Sequence, residues 1–303
     1  MMRARTGDLL IATALPVLLV GVGVCWVLAR PDGPGAVALP ASIALGASTV
    51  LLGLGALPSL GAQPSTRIIG VLAALWLSAS VVAGWLRTAD QSGVAAVDVD
   101  IDQFGTAMSS GAAELVSAAA ALLILAWVSV DLLTAVVIGV RAVAVVAAVG
   151  VLATAVGGHA SLHVWGPVLV GAHALAAAWW CGTLAAMVLT LRGRSGWAAT
   201  LPEFSRFAVW AVGVIAATGV IVGVVEVGGI TELATTGYGR ILLAKLAGLS
   251  ALAGLGWWHR RTWVPAASRH RMSEAVSVRH GVAEVMLMAV VLGLAAGLSA
   301  TAP

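Results

Sequence analysis

Residues 165–191 have the sequence WGPVLVGAHALAAAWWCGTLAAMVLTL, and this stretch decides the fold class of the chain. It contains no Asp, Glu, Lys or Arg. A transmembrane α-helix needs about 20 predominantly apolar residues, so the stretch is long enough to cross a bilayer. It also carries a histidine, His173, inside the apolar segment. We therefore predict a membrane-spanning helix with an imidazole deep within it.

Apolar stretches of similar length recur throughout the 303 residues. The chain is 60% hydrophobic and 10% charged, and its mean hydropathy is +1.04. The stretches are too long and too uniformly apolar for the alternating strands of a membrane β-barrel. We predict an all-α fold, a polytopic transmembrane helical bundle of about nine spans. The predicted spans are 9–29, 37–60, 67–86, 111–133, 136–157, 165–191, 205–227, 239–258 and 279–300.

The distribution of basic residues predicts the orientation of the bundle. Segments that face the cytoplasm carry an excess of Lys and Arg. With the N-terminus inside and the C-terminus outside, the outer segments hold only Arg30, Arg87 and Arg240. The other twelve arginines fall inside: Arg3, Arg5, Arg67, Arg141, Arg192, Arg194, Arg206, Arg260, Arg261, Arg269, Arg271 and Arg279. The first apolar run follows two of them and resembles a signal peptide, but we interpret it as a retained helix because a small-residue cleavage site is lacking.

The longest predicted outer segment, about 87–110, is acidic. Its sequence VDVDIDQF, residues 97–104, alternates acidic and apolar side chains, which favours an extended strand-like segment. We interpret it either as a solvated loop or as a mouth that attracts cations.

Several classes of function find no support in the sequence. There is no Walker motif, no GxSxG and no dinucleotide-binding glycine pattern. The basic residues lie in short segments between spans, so we predict no nucleic-acid partner. Cys25 and Cys181 fall in separate spans and do not suggest a disulfide framework. We predict a binding or transport protein rather than an enzyme.

Polar side chains within spans are costly and tend to be functional. His173 lies near the middle of its span. Cys181 and Met187 lie on or beside its helical stripe, and imidazole, thiol and thioether groups together suit a soft metal such as Cu(I). The alternative is that Cys181 and Met187 only fill space in the core. His159 and His163, four residues apart at the outer end, could share a metal if their segment is helical.

Three further ionisable residues lie within predicted spans. Glu284 lies about one turn inside the last span, four residues after His280, where it could carry a proton, bind a metal or pair with an arginine. Glu226 and Lys245 lie near the outer ends of consecutive antiparallel helices. We interpret them as a structural ion pair or as a proton relay.

The second half of the chain resembles the CopD copper-resistance domain family. The resemblance rests on GGHA at 157–160, on His173 followed by Trp180, on EFSRFAVWAVGVIAATGVI at 203–221, on TTGYGRILLAKLAGL at 235–249, on HRR at 259–261 and on Glu284. On this basis we divide the chain into N-terminal transmembrane helices with the acidic outer loop (1–134) and a CopD-like domain (135–303). The family commonly has Gly at the position of Thr183 and often Asn at that of His259.

The resemblance implies copper handling in the bacterial cytoplasmic membrane. It implies a multi-pass protein whose partners are the lipid bilayer and copper, with copper transport, uptake in particular, or copper homeostasis as the expected function. The soft-ligand stripe favours Cu(I) as the form of copper. A copper-delivery factor for cytochrome oxidase assembly is an alternative, because related proteins fuse this domain to a CtaG-like domain; a periplasmic copper chaperone or an oxidase assembly protein would then be a partner. A haem-binding membrane protein with His173 as axial ligand is a further alternative.

Overall fold

A computed structural model describes the backbone of residues 4–134, 139–157, 165–227 and 230–301. Side chains are described for the same residues except 4–12, 109–110, 226–227 and 230. Within these ranges all regular structure is helical and no strand occurs. The predicted all-α fold is therefore confirmed for the described part of the chain.

Eleven helices follow one another in the described residues. They are α1 (Ala4–Leu28), α2 (Ala38–Ala56, continued by a 3-10 turn at Leu57–Leu60), α3 (Thr66–Ser92), α4 (Ile101–Ser110), α5 (Ala112–Thr134), α6 (Arg141–Val156), α7 (Gly166–Thr190), α8 (Gly193–Val227), α9 (Ile230–Thr235), α10 (Gly237–Ser268) and α11 (Glu274–Ser299).

Each predicted span overlaps one of these helices. Seven of them, counting α2 with its 3-10 turn, are long and apolar enough to cross a membrane. Two shorter apolar segments, Thr13–Leu28 of α1 and Arg141–Val156 of α6, correspond to the first and fifth predicted spans. The chain is thus a multi-pass helical bundle, whereas the number nine and the orientation stay predictions.

The acidic outer segment differs from its prediction. Residues 97–104 were expected to be extended, but a helix, α4, begins at Ile101. Its start is stabilised by a capping box, in which the Asp100 side chain accepts a hydrogen bond from the Gln103 backbone N–H at 2.7 Å and the Gln103 side chain accepts one from Asp100. This reciprocal pair satisfies backbone N–H groups at the start of the helix. The alternation of acidic and apolar residues, on which the prediction rested, does not report such capping.

Helices α8 and α10 extend beyond the predicted spans. The predicted spans end at 258 and begin at 205, but α10 continues to Ser268 and α8 begins at Gly193. The extensions pack together through Trp197 and Trp263, whose ring centroids lie 5.6 Å apart and which are almost fully buried. This contact between distant parts of the sequence keeps polar helical turns ordered outside the apolar spans.

Helix α7 packs against α2, α6, α8 and α11, so it lies at the centre of the bundle. Its closest approach is to α2, where Gly182 faces Gly53. A Cβ atom added at Gly182 would overlap the carbonyl oxygen of Thr49. Small residues at such crossings let helix backbones approach closely in membranes.

We expect Gly182→Val to disrupt this crossing and to lower the yield of monodisperse protein in detergent by several fold. The added side chain can be accommodated only if α2 and α7 move apart, because the obstacle is backbone. Gly254→Val in α10 is the matched control, since a Cβ there meets no atom within 4 Å. Size-exclusion chromatography and thermal unfolding measure the effect. Equal behaviour of the two variants would contradict the close crossing.

Candidate functional site

A chain of three ionisable side chains connects α10 with α11, and we call it the inner cluster: His259, His280 and Glu284. His259 Nδ1 lies 2.7 Å from Glu284 Oε2, and His259 Nε2 lies 3.1 Å from His280 Nδ1. His259 and Glu284 are each 4% exposed, whereas His280 is half-buried. A buried carboxylate and two imidazoles are thus linked from the interior toward the surface.

The hydrogen bonds of the inner cluster all run in one direction, from His280 to His259 and from His259 to Glu284. When Glu284 is a carboxylate it can only accept, so His259 donates from Nδ1–H and keeps a lone pair on Nε2. That lone pair accepts a hydrogen bond from Nδ1–H of His280, whose own Nε2 then carries the next lone pair. Glu284 therefore fixes the tautomer of His259 and leaves its Nε2 basic.

Aromatic rings enclose the inner cluster. Trp263 stacks on His280 with centroids 5.5 Å apart, and its indole N–H donates to Ser277 Oγ at 3.2 Å. Trp258 lies 5.3 Å from His259 and 5.9 Å from His280. Both imidazoles therefore pack against aromatic rings, and of the two rings Trp263 is buried whereas Trp258 is exposed.

Helix α7 packs closely against α11 at Gly281, one residue after His280. A Cβ atom at Gly281 would lie 2.7 Å from Cγ2 of Val188 on α7, so a larger residue would require Val188 or the helices to shift. Cys181 and Met187 are both buried in the main hydrophobic core. Their role as soft ligands stays a prediction.

The inner cluster has the arrangement of a metal-ligating histidine that is hydrogen-bonded to a carboxylate. A ligating histidine usually donates its second ring N–H to a carboxylate, which orients the ring and raises its basicity. His259 has this arrangement toward Glu284, and its Nε2 faces a second imidazole nitrogen. No three His, Cys, Asp or Glu side chains in the described residues form a ready metal cage. The cluster thus offers two convergent nitrogens and a supporting carboxylate.

His173 occupies a separate position, between α7 and α8. Its Nδ1 lies 3.0 Å from Oγ1 of Thr218, and that hydroxyl donates to the Val214 carbonyl at 2.6 Å. Since the hydroxyl proton is used on Val214, Thr218 accepts from Nδ1–H of His173, which leaves the lone pair on Nε2. Gly219 gives the ring space, because a Cβ there would lie 3.3 Å from Cε1 of His173.

Lys245 is half-buried on α10. The side chain of its predicted partner, Glu226, lies outside the described residues, so the Glu226–Lys245 pair stays a prediction. His159 and His163 also lie outside the described residues, and their shared metal site stays a prediction as well.

His259 and His280 were not among the predicted site residues. The spacing of His280 and Glu284, four residues apart on α11, was a usable signal, because such residues share a helix face. His259 is on α10, and only the packing of α10 against α11 shows that it joins them.

Residues 198–298 match the family model described as Copper resistance protein D, CopD. This segment, which we call the CopD segment, is similar to the CopD family. The match covers one third of the chain, from α8 to nearly the end of α11, and confirms the predicted resemblance within these residues. The CopD-like domain at 135–303 stays a prediction. No curated protein and no solved structure matches the chain significantly. All three residues of the inner cluster, together with Thr218 and Lys245, fall within the CopD segment, whereas His173, Cys181 and Met187 precede it.

Proposed function

We propose that this protein conducts copper into the cell across the bacterial cytoplasmic membrane. One observation carries the proposal: the CopD segment itself supplies His259, His280 and Glu284, which converge from two helices on a buried cluster. Imidazole is a good copper ligand, and buried ionisable groups in membrane helices mark ion pathways. The description of the family supplies the identity of the metal.

Copper would bind at two stations. The outer station is His173 on α7, whose Nε2 lone pair is oriented by Thr218. Cys181 lies eight residues further along α7, about 12 Å at 1.5 Å per residue. The inner station is the inner cluster on α10 and α11, and α11 packs against α7. Several weak sites in series, rather than one tight cage, allow an ion both to enter and to leave.

At the inner station copper would replace the hydrogen bond between the two histidines. His259 already presents its Nε2 lone pair, whereas His280 must release its Nδ1 proton and become the Nε2–H tautomer. His280 is half-buried, so this exchange can occur through water at the membrane surface. Glu284 stays hydrogen-bonded to His259 and contributes negative charge close to the cation. The two nitrogens suit Cu(I), which is bound by few ligands, and a water or a carrier ligand would complete its coordination.

We expect His173→Ala to reduce Cu(I) flux into proteoliposomes by about tenfold or more, since the outer station loses the imidazole that Thr218 orients. His270→Asn is the matched control, because His270 is exposed, lies outside both stations and has a positive φ that Asn tolerates. Flux is measured at equal reconstituted protein with a luminal Cu(I) chelator dye. Unchanged flux in His173→Ala would contradict the outer station. Copper binding without any flux in the wild-type chain would contradict conduction and favour a delivery factor.

A further inference from the structure

The exposed edge of α8 and α10 beside the inner cluster carries three arginines, Arg206, Arg260 and Arg261, which we call the arginine edge. All three are exposed. Arg260 donates from Nη1 to the Ser205 carbonyl on α8 at 2.7 Å, so its guanidinium lies next to the residue that precedes Arg206. The described part of this edge contains one carboxylate partner, Glu203, 2.9 Å from Arg206. The edge therefore keeps an excess of positive charge at one place.

Aromatic rings hold these guanidinium groups in position. Arg261 lies 3.9 Å above the ring of Trp257, and Arg206 lies 4.7 Å from the ring centroid of Phe207. A cation over an aromatic face is stabilised by the ring quadrupole while its N–H edge stays free to donate. A guanidinium carries five N–H donors, and Ser205 takes at most two from Arg260. The arginine edge thus presents more oriented donors than Glu203, its one described carboxylate, can accept.

The surface next to the arginine edge is apolar and exposed. Trp257 is 60% exposed, Trp210 75% and Phe207 44%. Tryptophan beside basic residues at the end of a span is typical of the membrane–water interface. A partner that fits the whole surface has an anionic group that can bind the arginines and apolar chains that can pack against the aromatic rings.

We propose that the arginine edge binds the headgroup of an anionic phospholipid, with the acyl chains against Phe207, Trp210 and Trp257. Arginine suits phosphate oxygens because its planar donors can bind two of them at once. Basic sites between transmembrane helices on the cytoplasmic side commonly hold such headgroups. The predicted orientation places this edge on the cytoplasmic side. The inference does not depend on copper and goes beyond the proposed function.

Native mass spectrometry of the full chain with added phosphatidylglycerol or phosphatidylcholine tests this proposal. The site variant carries Arg206→Gln, Arg260→Gln and Arg261→Gln. The control carries Arg269→Gln, Arg271→Gln and Arg279→Gln, which removes the same charge from exposed residues at the same end of the bundle. We expect about tenfold weaker phosphatidylglycerol binding in the site variant and a change below about threefold in the control, with phosphatidylcholine affected in neither.

If phosphatidylglycerol binding fell equally in the two triple variants, the lipid would be attracted to the whole basic face, and the specific site would be disproved. Wild-type binding in the site variant would do the same. If the site variant instead changed from dimer to monomer while its lipid binding was unchanged, the edge would be an interface between copies of this chain. Arg261→Gln alone guards against misfolding, because Arg261 stacks on its own helix only. It should weaken phosphatidylglycerol binding by about threefold at unchanged thermal stability.

Discussion

Purified protein with His280→Ala should bind Cu(I) at least about tenfold more weakly than the wild-type chain, because one of two convergent ring nitrogens is lost. Folding should be little affected. His280 is half-buried and bonds to His259 rather than to the carboxylate, so Glu284 keeps its partner. Competition with a Cu(I) chelator of known affinity measures the change, and thermal unfolding of the same sample measures the stability.

His270→Asn is again the control for this measurement, since it removes one imidazole from an exposed position outside the inner cluster. The control should bind Cu(I) like the wild-type chain. If His280→Ala also bound like the wild-type chain, copper would not enter between His259 and His280, and the inner station would have to be abandoned.

His259→Leu should destabilise the folded protein by about 3–5 kcal/mol, because it leaves the buried Glu284 carboxylate without its partner. His259 and Glu284 are both 4% exposed, so water does not readily replace the lost hydrogen bond. The double variant His259→Leu/Glu284→Leu removes both polar groups and should recover most of the lost stability. Reversible unfolding in mixed detergent micelles gives the free energies for this comparison.

His259→Asn separates the structural role of this residue from its proposed ligand role. The Asn side-chain amide can donate to Glu284, so the fold should be nearly as stable as the wild type, yet the ring Nε2 is lost and Cu(I) affinity should fall as for His280→Ala. If His259→Leu were as stable as the double variant, Glu284 would not depend on His259, and the buried pair would be disproved.

The sequence predicted individual spans well where both ends were marked chemically. Residues 165–191 were predicted as a span from their length and lack of charge, and the helix occupies Gly166–Thr190. Pro167 near its start and Arg192 after its end bound the apolar run. The extensions of α8 and α10 were missed, since they depend on contact between Trp197 and Trp263, 66 residues apart in the chain. Hydropathy reports the apolar spans and carries no information on such contacts.

The site was predicted in part for the same physical reason. Glu284 was recognised because a carboxylate within a span is costly, and His173 because an imidazole is. The partners of both residues come from neighbouring helices, Thr218 from α8 and His259 from α10. Which residues meet across two helices depends on their relative rotation and axial shift, and one sequence does not determine these. Ionisable side chains within apolar spans can therefore be recognised from the sequence, whereas their hydrogen-bond partners are known only from the packing of the helices.

The most direct measurement is elemental analysis of copper and iron per chain after anaerobic equilibrium dialysis against Cu(I), with the free copper of the dialysate subtracted. It compares the detergent-purified wild-type chain with the His259→Asn/His280→Ala double variant. We expect at least about one copper and no stoichiometric iron in the wild type, and a loss of about one copper in the double variant. Equal copper in the two proteins would contradict the inner cluster as the copper station, and stoichiometric iron in the wild type would favour a haem protein instead.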